Sequence, residues 1–244
     1  MPSPTTSPHR IRPADPFLRW MVGPQAAADL VNRGDQVAWL HAGSRPHPGW
    51  VTARGDDPEV VVDLVSELVE RHQVSGYTVP EIARDAAATR LGGGEPRLWC
   101  WWVREQVAAP RPPGTVLALD DPRIGPLLTH SASAYVLPGD QRIIRWAGVD
   151  DGRSLVAVAG AVLEKSGAWH LVSVCTHPDY RAQGYAAQAC GVLIDEAQTA
   201  GAPAVVLEMY SDNEAGRRLY RRLGFSEEAR FLSCVLDETV VLPF

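Results

Sequence analysis

The sequence predicts a mixed α/β protein in two parts. Three observations carry this. First, Leu171 to Gly191 (LVSVCTHPDYRAQGYAAQACG) changes period partway. Val172 and Val174 belong to a β-branched, apolar run that Pro178 stops, because proline has no N–H for a ladder. Ala186, Ala189, Cys190, Leu193, Ile194 and Ala197 then recur at three and four residues, one face of a helix. Second, Val156, Val158, Gly160 and Val162 alternate with Ala157, Ala159 and Ala161, which suits a strand covered on both faces. Third, strand and helix patterns interleave through the first hundred residues, and Ala108 to Gly114 (AAPRPPG) separates them from the rest as a linker. The expected organisation is a disordered tail over 1–16, a smaller mixed α/β domain over 17–108, a linker over 109–114 and a second domain over 115–244.

The elements follow in order. Residues 1 to 16 are rich in Pro, Ser and Thr. Phe17 to Val31 has helical spacing. Gln36 to His41 and Trp50 to Ala53 read as strands on either side of His47-Pro48-Gly49. Asp57 caps a helix with Pro58 in its first turn, and Val61, Leu64, Val65, Leu68 and Val69 mark its buried face to about His72. Gly76 to Val79 is a short strand, Glu81 to Arg90 a helix stopped by Gly92-Gly93-Gly94, and Trp99 to Val103 a strand. Trp99 and Trp101 share a face, and core packing is their main reading. After the linker come a strand at Thr115 to Leu119, a helix from Asp121-Pro122 that Gly125-Pro126 interrupts and that resumes to Tyr135, and strands at Ile143 to Gly148 and Ser154 to Glu164. Ser166-Gly167 turns into the strand Trp169 to Thr176. A strand at Ala204 to Met209, a helix at Glu214 to Leu223 closed by Gly224, and strands from Phe225, with Cys234 to Leu236 and Val240 to Leu242, finish the chain.

The 244 residues carry a net charge of −6. Residues 1–114 hold 12 basic and 13 acidic side chains, and residues 115–244 hold 11 and 16. This balance disfavours nucleic acid, which calls for a basic face. Cys100, Cys175, Cys190 and Cys234 have neither metal nor disulfide spacing, so no metal is expected and a reducing cytoplasm fits. No apolar run approaches membrane-spanning length, and the N-terminus lacks a signal-peptide core. Lys165 is the only lysine against 22 arginines, which with the abundant alanine suggests a GC-rich bacterial genome. A homodimer is compatible with all of this.

The chemistry that the turn before the second helix suits is holding a phosphate. A helix start presents unpaired N–H groups and the positive end of a dipole. Gly184 and Ala186 let the backbone approach an oxygen, and Arg181 adds charge at the rim. On spacing alone, a strand–turn–helix without a ligand is an equal reading. The stretch THPDYRAQGYA resembles the acyl-CoA loop, Q/R-x-x-G-x-G/A, of the GNAT superfamily of N-acetyltransferases. VVLEMYSDNEAGRRLYRRLGF resembles that family's next strand and helix, with Asn213, Tyr220 and a closing Leu-Gly-Phe. The two blocks cover about 115 to 235, with no such match before, so the first half is expected to be a smaller mixed α/β unit, with an eroded copy of the same fold as the alternative that element order allows.

The resemblance implies acetyl-CoA as co-substrate and a primary amine as acceptor. It implies that Arg181, Ala182, Gln183, Gly184, Tyr185, Ala186 and Ala187 hold the pyrophosphate. It also implies that the strand edge at Val174, Cys175 and Thr176 polarises the thioester carbonyl and pairs with pantetheine, although Thr176 replaces the family's usual aliphatic residue. Only about one primary amine in 2,500 is neutral at pH 7, so a general base is useful. Glu208 is the first candidate; it could equally face solvent or attract a cationic substrate. Glu164 and His170 are reserves. Tyr220 resembles the general acid for the leaving thiolate, against a core-packing alternative. Asn213 either bonds the pantetheine arm or caps a helix. Arg217, Arg218, Arg221 and Arg222 either assist the outer phosphate of coenzyme A or form a solvated face. The expected activity is acetyl transfer to an amine in a ternary complex, with transfer of a longer acyl group, or coenzyme A binding without turnover, as alternatives.

Overall fold

A computed structural model describes residues 7–23, 27–41, 49–105 and 114–236. The elements run α1 (Pro8–Ile11), a π-helical turn (Leu18–Val22), β1 (Asp29–Arg33), β2 (Gln36–Leu40), β3 (Trp50–Arg54), α2 (Pro58–Arg71), β4 (Gly76–Pro80), a 3-10 turn (Glu81–Ala83), α3 (Arg84–Arg90) and β5 (Arg97–Arg104). They continue with β6 (Thr115–Leu117), α4 (Ile124–Leu128), β7 (Ile143–Asp150), β8 (Leu155–Leu163), β9 (Trp169–Thr176), a 3-10 turn (Pro178–Tyr180), α5 (Tyr185–Thr199), β10 (Val205–Tyr210), α6 (Glu214–Arg222) and β11 (Ser226–Val235). The chain divides into two compact units. One holds the described residues up to Trp101, with Met209–Asp212 and those from Glu227 on; the other holds Trp102–Glu208 and Asn213–Ser226. The expected linker lies outside the described residues except for Gly114.

The first unit builds β1, β2 and β3 as an antiparallel meander and sets β4 parallel to β3, with β11 antiparallel to β4. α2 crosses between β3 and β4 and buries Val61, Val62, Leu64, Val65 and Leu68. Each such side chain contributes about 1.5–3 kcal/mol by leaving water. Asp57 caps α2 as expected, accepting the N–H groups of Glu59 and Val60 at 3.1 and 3.2 Å. Asp57→Ala is expected to cost about 1 kcal/mol, read as a lower urea midpoint at unchanged slope. Trp99 and Trp101 are core, as their shared face suggested: Trp99 stacks on Phe231 at 4.5 Å and Trp101 meets Phe17 edge-on at 5.6 Å.

The second unit repeats that order. β7, β8 and β9 form an antiparallel meander, α5 follows, and β10 lies parallel to β9. β8 is buried at every position but its last. α4 covers the face of Val158, Val162 and Val172, and α5 packs on β7, β8 and β9. In both units the parallel pairing lasts three residues and stops: at Thr52–Thr78 in the first and at Leu171–Leu207 in the second.

In the first unit the place where the parallel pairing stops is filled by side chains. Arg54, at the free end of β3, pairs with Asp15 at 2.7 Å, and Phe17 packs on Phe231, which lies beside Pro80 at the free end of β4. The donors at the start of α2 are also taken. Gln36 Oε1 accepts the N–H groups of Asp56 and Asp57 at 2.7 and 3.2 Å, beside the Asp57 cap.

Several expectations need correction. The helix expected over Phe17 to Val31 is only the π-helical turn; Asp29–Arg33 is a strand, because pairing with β2 outweighs local spacing. Residues 24–26 lie outside the described residues. Ser7 to Asp15, expected in the tail, is packed: the Ser7 hydroxyl donates to the Gly23 carbonyl and Asp15 is buried against Arg54. Residues 1–6 lie outside the described residues. Gly125-Pro126 does not interrupt α4, because Pro126 sits in the first turn, where its missing N–H has no helical partner to lose. The helix ends at Leu128 and turns occupy 129–142. Val240 to Leu242 lie outside the described residues. Among the described residues no helix is long and apolar enough to cross a membrane, and no group of side chains is arranged for a metal ion.

Candidate active site

The site begins where β10 leaves β9. Beyond Leu171–Leu207 the register ends, while β9 keeps its pairing to β8 as far as Thr176. Between Val172 and Cys175 the β8–β9 register shifts, and Ser173 there has φ +50°. This is a β-bulge, which bends a strand and leaves a residue unpaired. A left-handed backbone costs an L residue about 1–2 kcal/mol. Val174 and Thr176 are half-buried. Cys175 is buried, with its thiol on the Leu127 carbonyl at 3.3 Å. Burial pushes the Cys175 thiol up, opposed by Arg181, and pushes Cys190 up to about 12. Both behave as the small apolar fillers expected of them.

The strand runs through one 3-10 turn into an exposed loop, Arg181–Gly184. Ala182 and Gly184 have φ +61° and +86°, so the chain curls twice before α5. The Arg181 side chain spans this curl, Nε donating to the Thr176 carbonyl and Nη2 to the His130 carbonyl, each at 3.3 Å. Gln183 Nε2 ties back to the Asp179 carbonyl at 3.3 Å. Arg181 therefore shapes the loop as well as charging it.

Gly184 is the N-cap of α5 and offers no side chain to it. The N–H groups of Tyr185, Ala186 and Ala187 are first-turn donors without helical partners. α2 and α6 are closed by Asp57 and by Asn213, whereas this start is bare. A Cβ built at Gly184 would meet nothing within 4 Å, so the approach is open. A bare helix start with open space in front matches the demands of a pyrophosphate.

The remaining candidates separate. Asn213 is a cap: its Oδ1 accepts the Gly216 N–H at 2.8 Å. Glu208, half-buried at the point of divergence, accepts a hydrogen bond from the Tyr135 hydroxyl at 3.4 Å. Tyr220 is buried, its ring edge-on to Phe225 at 5.8 Å, and its hydroxyl has no hydrogen-bond partner among the described residues. Burial first, then nearby Cys190, pushes that phenol well above its ordinary range. Glu164 and His170 pair with each other at 2.9 Å at the end of β9 away from the loop. Arg218, Arg221 and Arg222 are exposed, as the solvated-face reading allowed, whereas Arg217 is buried; Arg217 and Arg221 lie over Trp102, at 5.9 and 5.7 Å.

Sequence reasoning missed Tyr135 and Ser173. Tyr135 lies in turns where a helix was expected, so nothing local marked it. Ser173 carried a signal, a polar residue inside the apolar run LVSVC.

Residues 118–225 match the model of the acetyltransferase (GNAT) family. The chain also resembles solved structures over most of its length. A putative GNAT-family acetyltransferase from Novosphingobium aromaticivorans is 20% identical, with 96% of this chain and 98% of that chain covered and a TM-score of 0.53. A GCN5-related N-acetyltransferase from Kribbella flavida is 16% identical, with 96% of each chain covered and a TM-score of 0.54. One from Sphaerobacter thermophilus is 16% identical, with 90% and 80% covered and a TM-score of 0.57. These likenesses are of fold. No curated protein matches the chain.

Proposed function

We propose that the protein, whose residues 118–225 match the acetyltransferase (GNAT) family, transfers the acetyl group of acetyl-CoA to a primary amine by direct attack in a ternary complex. The observation that carries this reading is the start of α5: an uncapped helix, opened by a positive-φ glycine, beside a strand whose partner has just left it. Backbone N–H groups from Gly184 to Ala187 would take the pyrophosphate oxygens, with Arg181 holding the curl. The freed edge of β9 at Val174–Thr176 would pair with pantetheine amides and aim an N–H at the thioester carbonyl.

Glu208 would take the proton that the attacking amine sheds. The freed sulfur leaves as a thiolate whose thiol has a pKa near 8.5. Tyr220, with its phenol pushed upward by burial, stays protonated at working pH and would donate a hydrogen bond to that sulfur. Tyr220→Phe is accordingly expected to lower kcat about 10–10²-fold in a thiol-release assay while acetyl-CoA affinity stays within about twofold. A variant that unfolds or loses affinity at unchanged kcat would mark Tyr220 as core.

The test of the function is calorimetric titration with acetyl-CoA, followed by thiol release with spermidine, kanamycin, alanine and a lysine-containing peptide with a free N-terminus. One site per chain is expected, because Gln36 and Asp57 already occupy the counterpart helix start in the first unit. Propionyl- and butyryl-CoA in the same assay separate acetyl from longer acyl donors. Binding without turnover on any amine would favour a regulatory coenzyme A binder. No binding by folded protein would remove the reading.

A further inference from the structure

We propose that Ser173 is a positioning residue: its hydroxyl clamps the 129–142 connection to the bulge of β9 and so holds Tyr135 against the Glu208 carboxylate. The catalytic meaning of this clamp rests on the acyl-transfer reading above; the clamp itself rests on geometry.

Ser173 has φ +50°, a conformation for which glycine is the default residue. A serine there brings what glycine lacks. Its hydroxyl donates to the Val136 carbonyl at 2.6 Å and accepts the Val136 N–H at 3.3 Å. One side chain thus satisfies both backbone groups of a residue that lies outside any helix or strand. Both residues are buried, so water does not replace these bonds.

The position of the clamp gives it consequence. Pairing between β9 and β10 ends at Leu171–Leu207, two residues before Ser173 and one before Glu208. The residue next to Val136 is Tyr135, whose hydroxyl reaches Glu208 Oε1 at 3.4 Å. That contact is long for a hydroxyl and a carboxylate, so its quality depends on where the connection is held. A displacement of about 1 Å in such a support can lower a rate about 10²-fold. Val136 also packs in the core beside Val172 and Cys175, and that packing survives loss of the hydroxyl.

The experiment uses Ser173→Gly, Tyr135→Phe and the double variant in the full chain. Glycine accepts the backbone angle, so a melting temperature within a few degrees and acetyl-CoA affinity within about twofold are the controls. Amide exchange at Val136 is expected to quicken at least about tenfold in Ser173→Gly, with Cys175 unchanged. The Tyr135 ring resonances are expected to move on Glu208→Gln in the wild-type background and to stay still in the Ser173→Gly background. With whichever of the four amines the wild type turns over fastest, each single variant should lower kcat about tenfold, and the double variant should be no worse than either. Unchanged Val136 exchange, or Tyr135 resonances indifferent to Glu208 in the wild type, would overturn the proposal. Multiplicative kcat losses would also overturn it. If the wild type turns over no amine, the acyl-transfer reading fails, while the exchange and resonance results still decide the clamp.

Discussion

Gly184→Glu is expected to weaken acetyl-CoA binding by at least about 10²-fold while leaving the protein folded. The fold tolerates the change because a Cβ at this position meets nothing within 4 Å. The φ of +86° strains any side chain there, at about 1–2 kcal/mol, which a domain of this size survives. The ligand does not tolerate it. The new carboxylate would lie at the positive end of α5 and compete for the bare N–H groups that the pyrophosphate is proposed to use. Losing about two charge-assisted hydrogen bonds, each worth about 1.5–3 kcal/mol, gives a loss of about 10²–10⁴-fold. Gly184→Ala separates the two effects, since it carries the backbone strain without the charge and should lose at most about tenfold. Calorimetry beside a thermal melt reads both. Wild-type affinity in a folded Gly184→Glu protein would move the phosphate site away from α5.

Glu208→Gln is expected to lower kcat by about 10²–10⁴-fold with acetyl-CoA affinity unchanged. Glutamine keeps the size and can still accept the Tyr135 hydroxyl, so what it removes is the proposed proton acceptor. The pH profile adds a second reading. Without a base the reaction depends on amine that solvent has already deprotonated, and that fraction rises about tenfold per pH unit up to the amine's own pKa near 10.4. The variant's rate should therefore climb steeply with pH. If instead kcat holds and only the acceptor KM rises, Glu208 attracts a cationic substrate and takes no proton.

These two residues also show how differently parts of the site can be read. The backbone at Gly184 was legible from sequence because it is a local property. A glycine between a strand pattern and a helix pattern reports its own backbone angle, and the angle is +86°. The cap at Asp57 and the boundaries of β9 and α5 were legible for the same reason. Glu208 could be placed on a strand, but its neighbour Tyr135 could not, because 73 residues separate them and the intervening turns were expected to be helical. Of the two roles open to Asn213, the structure shows the cap, through the Gly216 N–H. Arg217 looked like part of a solvated face by charge alone, yet it is buried over the ring of Trp102, more than a hundred residues earlier.

The sequence by itself determined the order of strands and helices through the second unit, the loop that precedes α5 and the absence of metal-like cysteine spacing. Periodicity, caps and turns are short-range properties, written within a few residues of where they act. Only the tertiary structure decided that Asp29–Arg33 is a strand, that β9 and β10 part after three residues, that the first unit repeats the order of the second with its helix start already occupied, and that Ser173 ties to Val136. Each of those depends on which distant backbone or side chain meets a hydrogen-bonding group, and a buried donor or acceptor is satisfied by proximity in space, whatever its distance along the chain.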